Sequence, residues 1–253
     1  MSLVETDWLE KNLNNVKILD CSWHMPQTKR NGFEEYKQCH ISKAIFFDLD
    51  DNSNKYTSLP HMLVEKNDWE KIVGKMGIKK NDKIIIYDNS DVISSCRCWF
   101  NFIYFGHDPK LIHVLNGGLN KWIKEKREVT KDLPIIKQSH YECFELKELV
   151  KNKIFIDENI NDQKFKVIDA RSKERFEGKI PEPRENLRSG NIKKSFCIPF
   201  NLCLNEDKTF KNKEDLKNVF KTCLENIKEK NIVFSCGSGV TACVLALAYS
   251  LIN

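Results

Sequence analysis

The chain repeats itself, and that bounds its fold more tightly than any other feature of its 253 residues. Ile18-Leu-Asp20 recurs as Val167-Ile-Asp169, and Lys80-Asn-Asp-Lys-Ile-Ile-Ile-Tyr-Asp88 recurs as Lys228-Glu-Lys-Asn-Ile-Val-Phe-Ser-Cys236. Between them, His40-Ile-Ser-Lys-Ala-Ile-Phe-Phe47 answers Asn191-Ile-Lys-Lys-Ser-Phe-Cys-Ile198. The shift is nearly constant, about 150 residues in all three pairs, so two homologous domains are expected. We read them as residues 1–128 and 139–253, joined by a linker over 129–138.

Within each copy, short β-branched and apolar runs alternate with longer amphipathic stretches. Val16–Asp20, Ala44–Asp48, Ile84–Asp88 and Leu111–Val114 read as strands, and Trp69–Met76 reads as a helix. The alternation predicts an α/β fold, each domain a mostly parallel sheet flanked by helices. Ligands of such sheets bind beyond the carboxyl ends of the strands. Asp88 and Cys236 occupy equivalent positions there, an inert carboxylate in the first copy and a thiol in the second. Chemistry is therefore expected in the second domain.

Composition narrows the class. A formal charge of +5, with lysines interleaved among acids as in Lys147–Lys153, suits a small anionic substrate and gives no nucleic-acid surface. The start, Met1–Glu10, has no apolar h-region and is not Arg-rich, and the apolar run Ala242–Ile252 is too short to cross a membrane. These features predict a cytoplasmic protein that engages no membrane. Its ten cysteines are then expected as reduced thiols, and no CxxC supplies zinc-ligand spacing.

After Ile232-Val-Phe-Ser235 comes Cys236-Gly-Ser-Gly-Val-Thr241, then an apolar helix over Ala242–Leu251. Gly237 and Gly239 let backbone N–H groups turn inward as an anion nest, and the helix start adds its positive dipole end. Such surroundings favour a thiolate and stabilise charge on a sulfur attached to it. The plainer reading is a strand–turn–helix with a buried cysteine. A cysteine phosphatase needs Arg six positions after its nucleophile to grip phosphoryl oxygens, and Ala242 stands there.

The string Cys236-Gly-Ser-Gly-Val-Thr-Ala242 resembles the active-site loop of the rhodanese superfamily, and within it that of the 3-mercaptopyruvate sulfurtransferases. The resemblance runs from Leu3-Val-Glu-Thr-Asp-Trp-Leu9 through Phe46-Phe-Asp-Leu-Asp50 and Asp169-Ala-Arg-Ser172 to the loop. It implies two tandem rhodanese-like domains and a persulfide formed on Cys236, with Gly237, Ser238, Gly239, Val240 and Thr241 as the cradle. It implies that Arg175 and Arg184, in Arg175-Phe-Glu-Gly-Lys-Ile-Pro-Glu-Pro-Arg184, hold the substrate's carboxylate and keto oxygen; taken alone, two arginines are ordinarily surface groups. It further implies that Asp50 and His61 of the first domain form an acid–base relay with Ser238, although a histidine in a loop such as Ser58–Met62 is ordinarily just solvated. No metal or organic cofactor is implied, and the acceptor is a reduced thioredoxin, a small thiol or cyanide.

Thiosulfate-using relatives tend to carry Arg and Lys directly after the cysteine, where this chain has Gly237 and Ser238. A thiosulfate sulfurtransferase is thus the second enzymatic reading, and a degenerate rhodanese module that only binds protein is the non-enzymatic one. The family's Gly-His-Ile-Pro-Gly-Ala appears here as Cys39-His-Ile-Ser-Lys-Ala44 and Gly190-Asn-Ile-Lys-Lys-Ser195, without its turn residues. The second copy has no counterpart of Leu111–Trp122, so it is expected to lack a last strand and helix and to leave a sheet edge open.

Overall fold

The computed structural model describes residues 2–184, 187–224 and 231–253. The repeat residues Lys228, Glu229 and Lys230 lie outside the described residues. Two compact units divide the chain. One runs to Lys147 and takes in Asp207–Thr209; the other comprises Glu148–Glu206 and Phe210–Asn253.

In the first unit, strands β1 (Leu3–Val4), β2 (Lys17–Asp20), β3 (His40–Ile41), β4 (Ala44–Phe46), β5 (Ile84–Tyr87), β6 (Ile112–Leu115) and β7 (Val129–Thr130) are interspersed with helices. These are α1 (Thr6–Asn12), α2 (Gly32–Gln38), α3 (Lys66–Lys75), α4 (Ser95–Tyr104) and α5 (Gly118–Lys124). A parallel sheet runs in the order β1-β6-β5-β2-β4, and β3 pairs antiparallel with β7. Ile84, Ile85, Ile86 and Tyr87 are each 0% exposed. That is why β5 reads as an unbroken apolar run: a parallel strand covered on both faces has no solvent side to keep polar. The helix starts follow local chemistry, as where the Asn31 side chain accepts the Glu34 N–H at the start of α2.

The second unit contains α6 (Lys153–Asp162), β8 (Lys166–Asp169), α7 (Lys173–Phe176), β9 (Phe196–Cys197), α8 (Lys213–Lys221), β10 (Ile232–Ser235) and α9 (Thr241–Ser250). Its parallel sheet is ordered β10-β8-β9, which repeats β5-β2-β4 strand for strand. The repeat reaches into the backbone. Lys43 and Lys194, at equivalent places in the two turns that lack the family's glycine, both adopt left-handed φ of 67° and 62°.

Among the described residues, nothing in the second unit stands for β6 and α5. Ile232–Ser235 are consequently half-buried where their counterparts in β5 are sealed. Residues 139–147, which the repeat places in the second domain, pack on the first unit. Ser139 N–H donates to the Gly74 carbonyl, Tyr141 stacks on His107, and Leu146 N–H donates to the Tyr104 carbonyl. No described helix is long and apolar enough to cross a membrane, and the ten cysteines form no disulfide.

Candidate active site

Cys236 follows the last residue of β10, and α9 begins five residues later. The loop between them turns on Gly239, whose φ of 79° is left-handed; Gly237 has no such conformation. This turn aims the Gly239 N–H at the Cys236 Sγ, 3.1 Å away. The Gly239 carbonyl in turn accepts the Cys243 thiol at 3.0 Å. Val240, Ala242, Cys243, Val244 and Leu245 are buried, so the loop is anchored by the apolar start of α9.

Arg175 and Arg184 both reach this loop, although they sit in a separate turn-rich segment. Arg184 Nη1 donates to the Gly237 carbonyl over 3.3 Å. A Cβ placed on Gly237 would stand 3.3 Å from Arg175 Nη2, so a glycine there leaves room for the guanidinium. Arg175 lies on α7, whose first residue follows the capping Ser172.

Two residues not singled out from the sequence as site residues hold this arrangement. Glu182 Oε2 accepts Arg175 Nη2 at 2.6 Å, while Oε1 accepts Arg171 Nη1 at 2.7 Å and Arg175 Nε at 3.3 Å. Arg171 also grips the Asp169 carboxylate through Nε and Nη2 and donates to the Gly190 carbonyl. Burial pushes the Glu182 carboxyl upward, but the hydrogen bond and charge of Arg175 and the charge of Arg171 outweigh it and hold the group below the usual carboxylate range. The signals in the sequence were an acid between two prolines and an Asp-x-Arg step at the end of a strand.

Asp50 and His61 come together within the first unit. His61 Nε2 lies 2.9 Å from Asp50 Oδ1, and Trp23 Nε1 donates to Asp50 Oδ2 at 2.9 Å. The His61 bond is the main reason the Asp50 carboxyl is held below its ordinary range, against partial burial. Far from being solvated, His61 is 4% exposed, stands edge-on to Trp23, and accepts Arg97 Nη2 on its carbonyl. Asp88, the equivalent of Cys236, is buried and spends its carboxylate on the Ser90 and Ser95 N–H groups. It presents no nucleophile.

The model of the rhodanese-like domain matches residues 5–125 and 155–252. The chain is 39% identical to thiosulfate/3-mercaptopyruvate sulfurtransferase 1, mitochondrial, of Arabidopsis thaliana, over 97% of this chain and 70% of that protein. It is 34% identical to mouse 3-mercaptopyruvate sulfurtransferase, over 97% of this chain and 84% of that one. The crystal structure of SseA from Escherichia coli, a 3-mercaptopyruvate sulfotransferase, superposes with a TM-score of 0.89 at 26% identity, covering 100% of this chain and 94% of that one. With two matched segments, the order β5-β2-β4 repeated as β10-β8-β9 and relatives aligned along nearly the whole chain, this protein belongs to the rhodanese-like family as a tandem of two such domains.

Proposed function

We propose that this sulfurtransferase takes its sulfur from 3-mercaptopyruvate and carries it as a persulfide on Cys236. The Cys236 thiolate attacks the substrate sulfur, an S–S bond forms, and the C–S bond breaks. Its electron pair leaves on the carbon as the enolate of pyruvate, which takes up a proton. Arg175 and Arg184 grip the carboxylate and keto oxygen, while the loop amides of Gly237, Ser238, Gly239, Val240 and Thr241 stabilise charge on the attached sulfur. Asp50 and His61 act with Ser238 in delivering the proton. An acceptor thiol, on a thioredoxin or a small molecule, or cyanide, then attacks the outer sulfur and restores Cys236. No metal or organic cofactor enters the scheme, and a cytoplasmic setting is part of the proposal.

The observation that carries it is the Gly239 N–H directed at the Cys236 sulfur beside two arginines that meet at Gly237. Thiosulfate, a dianion, is the second donor to consider, since the name of the Arabidopsis relative covers both. Gly237 and Ser238 bring it no charge. The test compares pyruvate release from 3-mercaptopyruvate with sulfur transfer from thiosulfate to cyanide. Wild-type protein incubated with donor alone should gain about 32 Da, one sulfur, removable by dithiothreitol. Cys236→Ser should neither gain the mass nor turn over; turnover by that variant, or sulfur on another cysteine, overturns the assignment.

A further inference from the structure

We propose that Glu182 is a positioning residue for sulfur transfer: it clamps one edge of the Arg175 guanidinium so that the other edge faces the donor. The inference rests on the reading of Cys236 and Arg175 given above. Glu182 lies between Pro181 and Pro183, whose fixed φ angles stiffen its backbone, and its side chain is 4% exposed. Its two oxygens take the Nε and Nη2 of Arg175, which is a side-on grip. A guanidinium has two such edges, and this grip leaves the Nη1–Nη2 edge to a second carboxylate. Nη2 is the atom that stands beside Gly237.

The clamp is itself fixed to the sheet that bears the nucleophile. Glu182 is held by Arg171, and Arg171 by the carboxylate of Asp169, the last residue of β8. Asp169 lies opposite Ser235 in the β8–β10 pairing, and Cys236 is the next residue. An unbroken line of charged hydrogen bonds thus runs from the strand end beside Cys236, through Asp169, Arg171 and Glu182, to the arginine facing its loop. All four side chains are 20% exposed or less. A flexible arginine on its own would have to be ordered by each incoming substrate; here the ordering precedes binding.

The experiment is a double-mutant cycle with E182Q, R175A and E182Q/R175A, read as KM and kcat for pyruvate release and as melting temperature. E182Q keeps the shape but loses the charge-assisted grip, and should raise KM for 3-mercaptopyruvate by about tenfold or more, misplacement of a binding group being costly at this scale. In the R175A background the same change should add less than about twofold, because a residue acting through Arg175 has nothing left to act on. Sulfur transfer from persulfidated Cys236 to the acceptor, the step after pyruvate has left, should be unchanged in E182Q. Glu182→Asp, which keeps the charge on a shorter arm, is the second variant and should fall between E182Q and wild type. Wild-type KM in E182Q, equal losses with and without Arg175, or an effect explained by lowered melting temperature alone would each overturn the inference. Failure of wild-type protein to release pyruvate at all would instead overturn the functional reading on which it stands.

Discussion

Gly239 donates its backbone N–H to the sulfur of Cys236 while its carbonyl is held by the Cys243 thiol, so the nucleophile is addressed by a glycine engaged through the peptide groups on both of its sides. The left-handed φ of 79° at Gly239 makes this possible. An L-residue with a Cβ pays roughly 1–2 kcal/mol there, or relaxes the turn and withdraws the N–H. Gly239→Ala should therefore slow persulfide formation more than it lowers global stability. Single-turnover mass gain and urea denaturation, run side by side, measure the two. A variant that forms persulfide at the wild-type rate would show that this N–H is idle.

Arg175 and Arg184 differ in what surrounds them, and their variants should differ accordingly. Both alanine changes should weaken 3-mercaptopyruvate use by about 2–4 kcal/mol in transition-state terms, the scale of a lost charge-assisted contact. Only Arg175→Ala removes a partner from the buried Glu182, so it should also lower the melting temperature, whereas Arg184→Ala should not. Steady-state kinetics with both donors, alongside thermal melts, separate the cases. Equal losses with thiosulfate and 3-mercaptopyruvate would mean that these arginines serve the loop and not the carboxylate.

How far the sequence reaches depends on the range of the interactions involved. The apolar runs that became β2, β4, β5 and β6 were legible because burial on both faces writes itself into residue type, and the repeat then predicted a mostly parallel sheet in each unit. The Cys236 loop was legible because nest formation needs glycines at fixed spacing. The burial of His61 was not, since the groups that cover it, Trp23 and Arg97, lie 38 and 36 residues away and no local pattern announces them. Glu182 and Arg171 escaped for the same reason: their pairing depends on how the turn after α7 folds back over the end of β8. The sequence also offered two glycines as equals in the active loop, and only the backbone distinguishes Gly239 as the left-handed one.

The open side of β10 carries its own prediction. Asn231 and Ser235 carbonyls accept from β8, so the alternating residues Ile232 and Phe234 direct their backbone groups away from it, where no described strand pairs with them. The equivalent strand β5 has neighbours on both sides. Native-state hydrogen exchange should thus find the Ile232 and Phe234 amides exchanging much faster than those of their counterparts Ile84 and Ile86, which face β6. Equal protection would show that something pairs with this edge in solution.

The last prediction concerns pH and uses a contrast between the repeats that involves charge. Asp20 and Asp169 close equivalent strands, but Asp169 faces Arg171 where Asp20 is met by the Tyr87 hydroxyl and by Ser22, which donates its N–H and hydroxyl over 2.9 and 2.5 Å. With 1% exposure, Asp20 is pushed by burial to a pKa of about 7, the Ser22 and Tyr87 hydrogen bonds opposing but not cancelling the shift. The unfolded chain titrates this group near 3.9, so between about pH 4 and 7 the folded state holds a proton that the unfolded state lacks. Stability from this group is full below the lower value and falls as pH rises through the higher one, by on the order of 4 kcal/mol in all. Asp20→Asn mimics the protonated form and should remove that decline. Carboxylates with lowered values, Glu182 among them, act in the opposite sense, so the quantity to follow is the difference between wild type and Asp20→Asn. All five tryptophans, Trp8, Trp23, Trp69, Trp99 and Trp122, lie in the first unit, so their fluorescence during urea unfolding reports on the unit that contains Asp20. The variant should gain on wild type from about pH 5 to 7 and level off above that; a difference that stays constant would mean that Asp20 ionises in the folded protein as an ordinary carboxylate does.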